Sequence, residues 1–401
     1  MPAKVWCATN RGRGLDSIIA CVGVVALLLA GCGSPRGGVS PSCPQHHAAT
    51  TVSSPSAGGA LVPKRVHMLG ICSGWGLTAD AVLKTTDGGI NWRKVGPSSV
   101  APGHLSSAGA VFLDAQHAWI PVAATSANLE PVAVDYTDDG GRSWRATKLN
   151  ATVGNASDGV YLAFADTEHG WAAVDEGTPG HPAFELFYTV DGGIRWTEHD
   201  LVFGRFTGMA WVSPADGWLV GYLNPLTAQL YTSPNGALPS SPSLYGSTDG
   251  GSTWAPANLA IGPSLAPSGG HGTLSLLPPT FAEYTALLPA CLSGSSSSRM
   301  QFFVSANGGR TWSGTTPLPL DIGGDCRNWG FVWPNHLWVA GAHALHVSLD
   351  GGRTWSSIAT GLTLAPADEV DFVTASVGWV VTANNILRTS DGGTHWVRVG
   401  R

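Results

Sequence analysis

From residue 63 to the end of the chain, apolar residues come in short runs bounded by Gly, Ser, Thr, Asn, Asp and Pro. No stretch sustains the three-to-four spacing of an amphipathic helix. The runs fall in groups of four. In the third group the first run is Leu162-Ala163-Phe164 and the second opens at Gly170-Trp171 and ends at Val174. The third is Phe184 to Tyr188, and the fourth starts at Trp196. Read as strands A to D, each group is a four-stranded unit. Between C and D every unit carries the same octet, [ST]-x-[DN]-G-G-x-x-W. Its acidic or amide positions are Asp87, Asp139, Asp191, Asp249, Asn307, Asp350 and Asp391, and its closing residues are Trp92, Trp144, Trp196, Trp254, Trp312, Trp355 and Trp396. The tryptophans are 52, 52, 58, 58, 43 and 41 residues apart. Four strands per repeat at this period predict an all-β, seven-bladed β-propeller, with blades near 63–98, 105–150, 157–203, 206–258, 276–318, 328–361 and 367–401.

The octet reads as a C–D hairpin turn. The carboxylate, or the Asn307 carbonyl, accepts backbone N–H groups within the turn. The two glycines supply positive φ, and the Trp packs beneath. Upstream, a large apolar residue precedes a strand-B Trp by seven positions: Met68 and Trp75, Phe112 and Trp119, Phe164 and Trp171, Trp211 and Trp218, Phe331 and Trp338, Phe372 and Trp379. Phe281 and Leu288 form the degenerate fifth pair. The last octet ends five residues from Arg401, so the chain is expected to finish on strand D of blade seven, with closure resting on blade one against blade seven.

The octet resembles the Asp box of bacterial neuraminidase repeats, which occurs in sialidases, some endoglucanases and sortilin-type receptors. The whole unit, with its upstream Phe and Gly-Trp, more closely resembles the photosystem II assembly and stability factor family of seven-bladed propellers, over residues 63–401. That resemblance implies an assembly scaffold without catalysis, and the photosynthetic client does not carry over. A sialidase would need an arginine triad and a Tyr–Glu nucleophile pair. Its Arg-Ile-Pro opening is absent; the nearest phrase is Val62-Pro63-Lys64-Arg65.

Composition agrees with a β fold: 12% charged, 53 glycines, 27 prolines and 17 tryptophans. It excludes helical bundles and disorder. The N-terminus changes the setting. Lys4, Arg11 and Arg13 precede an apolar run from Ile18 to Ala30, too short to span a bilayer. The run ends in Leu29-Ala30-Gly31-Cys32, which resembles a bacterial lipoprotein lipobox and makes Cys32 the expected lipidation site. Residues 1–31 are then a signal peptide, 32–62 a Ser/Pro/Gly tether and 63–401 the propeller. Removing 1–31 takes the net charge from −6 to −8, which argues against nucleic acid and leaves the lipid as the membrane contact. Of seven cysteines, Cys43, Cys72, Cys291 and Cys326 remain for disulfides outside the cytoplasm, with three pairings open. Repeat position favours Cys291–Cys326 on neighbouring blades and leaves Cys43–Cys72.

Candidate chemistry is sparse. No phosphate loop opens a helix, and His117, His169 and His336 sit at equivalent A–B turns on separate blades, so no cofactor or metal site is expected. Acids on the face opposite the octets are Asp80, Asp158, Asp175, Glu176, Asp321, Asp325, Asp368 and Glu369. A glycosidase would need two of them across a cleft. The units differ most in blade four, whose B–C insertion runs from Leu223 to Ser243, and in the 258–279 connection. Tyr222, Leu226, Tyr231 and Tyr245, with Arg205 and Arg327, are the expected partner-binding residues there. The sequence thus points to an extracytoplasmic binding or assembly scaffold for a protein partner. A glycan-binding or glycan-hydrolysing propeller and a purely structural envelope component are the alternatives.

Overall fold

The structure, a computed structural model, describes residues 43, 62–97, 109–122, 131–152, 159–176, 184–203, 205–222, 243–261, 273–282, 284–293, 298–320, 329–332, 335–341, 343–365 and 368–400. All of these belong to one unit, Ser40–Arg401. Every described element is a strand. The strands form seven antiparallel sheets, each built from consecutive strands: residues 65–96, 111–148, 160–203, 205–256, 273–320, 329–359 and 369–399. The chain is a seven-bladed β-propeller.

Blade five departs from the four-strand pattern. Its strand A is split into Thr273–Leu276 and Thr280–Ala282, both paired to Thr285–Ser293. The break falls at Leu277-Pro278-Pro279, where two residues lack an N–H for the ladder. Its strand D is split the same way, into Ser313–Gly314 and Leu318–Leu320. The blade is therefore longer than 276–318 at both ends. Its A–B turn is also one residue shorter. Phe281 pairs with Ala286, whereas Phe164 pairs with Gly170 and Phe372 with Gly378. Leu287, not Leu288, consequently stands at the strand-B Trp register, packed with Phe302 of its own blade and Leu337 of the next.

All seven octets fold alike. The first glycine has φ between 67° and 77° and the second between 82° and 101°. The leading Ser or Thr is buried and acts as the hub. Its hydroxyl accepts the N–H of the second glycine at 2.7–3.0 Å. It donates to the Asp or Asn Oδ1 at 2.8–2.9 Å. The same Oδ1 accepts the N–H of the seventh octet residue at 2.9–3.0 Å. Asn307 keeps this pattern, and its Nδ2 donates to Thr311 Oγ1 where a carboxylate would accept. Thr189→Val should therefore leave the Gly193 N–H unpaired and lower stability by about 1–3 kcal/mol. Thermal unfolding checks this; an unchanged midpoint would contradict the hub role.

Each first-glycine N–H also donates to a carbonyl in the A–B turn of its own blade, from Cys72 in blade one to Ser376 in blade seven, at 2.6–2.9 Å in all seven. A–B turns and octets thus share one face of the propeller. The B–C and D–A connections share the other.

The blades are joined by aromatic stacks. The strand-B Trp of one blade lies against the strand-A aromatic of the next: Trp119 on Phe164 at 3.7 Å, Trp171 on Trp211 at 3.5 Å and Trp338 on Phe372 at 4.0 Å. The octet Trp then meets that aromatic edge-on, as Trp196 does Phe164 and Trp396 does Phe372. The octet tryptophans are only half-buried, whereas Trp75, Trp119, Trp338 and Trp379 are among the most buried large side chains. The indole N–H groups add a second link. Trp119 donates to Gly192 O at 2.7 Å and Trp171 to Gly250 O at 3.0 Å, each in the following octet.

The same device closes the ring. Trp379 Nε1 of blade seven donates to Gly88 O in the octet of blade one, at 3.0 Å. Met68, Trp92, Val66 and Ile71 pack around it. Among the described residues neither sheet borrows a strand from the other, so closure rests on side-chain contacts between the first and last blades.

Candidate functional site

The innermost strands of blades one, two, six and seven surround a cavity of about 430 Å³. Arg65 and His67 from blade one, Phe112 from blade two, Trp329 from blade six, and Glu369 and Asp371 from blade seven line it. Strand alternation puts Glu369 and Asp371 on one face of strand A, with Val370 and Phe372 turned into the core. Glu369 is paired with the Arg65 guanidinium. Asp371 Oδ2 accepts the Met68 N–H at 2.7 Å. The blade-seven carboxylates thereby cap the edge of the blade-one strand that pairs with no other described strand.

Enclosure shifts these groups. Burial pushes Asp371 up to about 7; the Met68 N–H opposes this and the Glu369 charge adds to it. Glu369 is raised by burial against the pull of Arg65. His67, which stacks on Phe112 at 6.1 Å, is lowered by burial, with a Phe112 backbone hydrogen bond opposing. Burial thus favours the uncharged imidazole of His67 and the protonated form of Asp371. Such a cluster can bind a small polar ligand or exchange a proton. Its two carboxylates stand on a single strand, not across a cleft, so they do not flank a glycosidic bond.

The loop-face acids are mostly engaged in local structure. Asp80 accepts from Thr78 Oγ1, Glu176 from the Thr152 N–H and Asp368 from the Ala365 N–H. Asp158, Asp321 and Asp325 lie outside the described residues. One pair stands out in blade three. Glu185 is held above the usual carboxylate range by burial, by the charges of Glu176 and Glu198, and by a hydrogen bond with Glu176. A hydrogen bond between two carboxyl groups requires a proton on one of them.

The expected partner-binding residues divide. Arg205 and Tyr222 pair across strands A and B at the loop-face end of blade four. Leu226, Tyr231 and Arg327 lie outside the described residues, as do 223–242 and 262–272. Tyr245 is not on the surface. It is buried in the core between blades three and four, with Trp171, Phe184 and Phe206. Both faces of a propeller blade are covered by neighbours, so strand C exports neither of its two side-chain rows.

The cysteines also divide. The Cys43 and Cys72 sulfurs lie at bonding distance with their Cα atoms 5.3 Å apart, inside the range a bridge requires. Cys291 is buried in strand B of blade five. Cys326 lies outside the described residues, as does Cys32.

The fold defines a seven-bladed propeller whose octet side chains are engaged within their own turns. No protein-family model matches the chain, and no curated protein matches it. Among solved structures it is similar to YCF48 bound to D1 peptide, with TM-score 0.51 and 16% identity over 83% of this chain and 92% of that one. It is also similar to YCF48 from Cyanidioschyzon merolae, with TM-score 0.45 and 15% identity over 77% and 87%. The GH74 xyloglucanase from Xanthomonas campestris gives TM-score 0.34 and 15% identity over 81% and 62%. The first of these supports the fold alone.

Proposed function

We propose that the chain is an extracytoplasmic binding and assembly scaffold, anchored through a lipid on Cys32, that presents the loop face of its propeller to a protein partner. One observation carries the reading. In all seven octets the leading hydroxyl and the Asp or Asn Oδ1 are engaged within their own turn. The repeat therefore supplies architecture, and recognition falls to the connections that differ between blades. That a propeller of similar fold, YCF48, is solved with a D1 peptide is in keeping with this.

Replacing residues 224–242 by a short Gly-Ser linker should weaken partner capture from solubilised membranes at least about tenfold, the loss of one or two anchor side chains. The thermal midpoint should not change. Undiminished capture would place recognition elsewhere. The second reading, a propeller acting on envelope glycans, draws on Glu185 as a single candidate proton donor, raised by burial and by the Glu176 and Glu198 charges. Turnover of a glycoside panel, abolished by Glu185→Gln, would replace the scaffold reading with it.

A further inference from the structure

We propose that the octet face of the propeller rests against the lipid surface, drawn there by a leash that ends at the Cys43–Cys72 contact. The inference rests on the proposed lipidation of Cys32. Cys72 belongs to the A–B turn of blade one, where its carbonyl accepts the Gly88 N–H of the first octet at 2.8 Å. Cys43 reaches this turn from the tether, its sulfur against Cys72 and 3.2 Å from Ile71 O. A side chain added at Gly88 would come 3.4 Å from that sulfur. A linkage at Cys43 shortens the connection from the whole tether to the eleven Cα–Cα steps from Cys32 to Cys43. Fully extended, they reach about 40 Å at most, and they start from the octet face.

The chemistry of that face suits a bilayer interface. Six large apolar side chains are exposed among the described residues, and five of them lie here. Ile90, Val190, Ile194 and Leu349 are octet residues, and Tyr284 is in the A–B turn beside the Asn307 octet. Exposed arginines stand among them at Arg142, Arg195, Arg310 and Arg353. The octet carboxylates face their own turns. Asp114 and Asp166 hold His117 and His169, and Asp138 pairs with Arg145; Glu168 is exposed. Apolar tips interleaved with guanidinium groups suit the acyl–headgroup boundary, and because the six octet Asp carboxylates outnumber those four arginines, the bilayer that fits is zwitterionic rather than anionic. Each contact is weak alone, but a short leash holds the face at an effective concentration in the millimolar range. The loop face then points away from the membrane, toward the proposed partner.

The test uses the mature, lipidated full chain on phosphatidylcholine vesicles, with the Cys32→Ser chain in the same suspension as the unanchored reference. A non-reducing peptide map comes first and should show Cys43 joined to Cys72. Hydroxyl-radical footprinting follows. Oxidation of Tyr284, Ile90, Ile194 and Leu349 should fall at least about threefold on vesicles, with Leu259 and Leu362 on the other face unchanged. A chain that floats with the vesicles but keeps full octet oxidation, or protects Leu259 and Leu362 instead, overturns this inference alone. A map without the Cys43–Cys72 link removes the leash and overturns it too. A chain that does not float refutes the anchoring, and this inference with it.

Discussion

Trp379→Ala is expected to lower the unfolding free energy by about 3–5 kcal/mol, the usual range for truncating a buried tryptophan. The indole is completely buried at the seam between the last and first blades. Its loss leaves a cavity there and strips the Gly88 carbonyl of its donor. The seam matters more than an internal interface because successive blades are also joined by the chain, whereas among the described residues the first and last blades meet through side-chain contacts alone. Trp396→Ala, in the half-buried octet position of the same blade, should cost distinctly less. Denaturant unfolding of both variants measures the difference. Equal losses, or a cost for Trp379→Ala below about 1 kcal/mol, would show that closure does not depend on this indole.

Stability should be greatest in mildly acidic solution and fall on both sides. Asp371 is raised to about 7 in the folded protein against about 3.9 in an unfolded chain. The folded state binds the extra proton between those values. Stability from this group is therefore fully present below the unfolded pKa, and it is lost as pH rises through 7. A rise of this size corresponds to about 4 kcal/mol at most. Burial also raises Asp135, to about 6, which acts in the same direction. The octet carboxylates work oppositely. Asp350 is lowered to about 2, chiefly by the Thr354 hydroxyl and N–H. In Asp391, also about 2, burial is outweighed by hydrogen bonds from His395. Their contribution is present above about pH 4, the ordinary carboxylate range, and is lost as pH falls toward about 2. The thermal midpoint should peak near about pH 5 and decline toward about pH 8. In Asp371→Asn the alkaline decline should shrink. A midpoint that rises steadily over that interval would mean that Asp371 is ionised without penalty.

The architecture was legible because each octet position has a local physical role. Glycines at positive φ, a hydroxyl hub and a carboxylate acceptor do the same work in every turn, whichever blade carries it. The Phe–Trp spacing was equally visible, but its meaning was not. Phe164 stacks on Trp119 of the preceding blade, a contact between repeats that no single repeat contains. In blade five one residue fewer in the A–B turn shifted the register from Leu288 to Leu287. The strand pairings, with Phe281 and Ser305 both opposite Ala286, reveal it. Tyr245 looked exposed because it follows a polar insertion, yet strand C lies between covered faces. Asp371 escaped notice because its role depends on which strand-A side chains converge on the ring axis. That is a property of seven blades together.

The most direct measurement of the central claim is a crosslink map between the mature chain and the protein it captures in membranes. The account predicts crosslinks concentrated on the loop face, at residues 222–243, 258–279 and the Arg205 end of blade four. The octet turns should stay free of them. Crosslinks concentrated on the octets, or none to any protein from intact membranes, would contradict the scaffold.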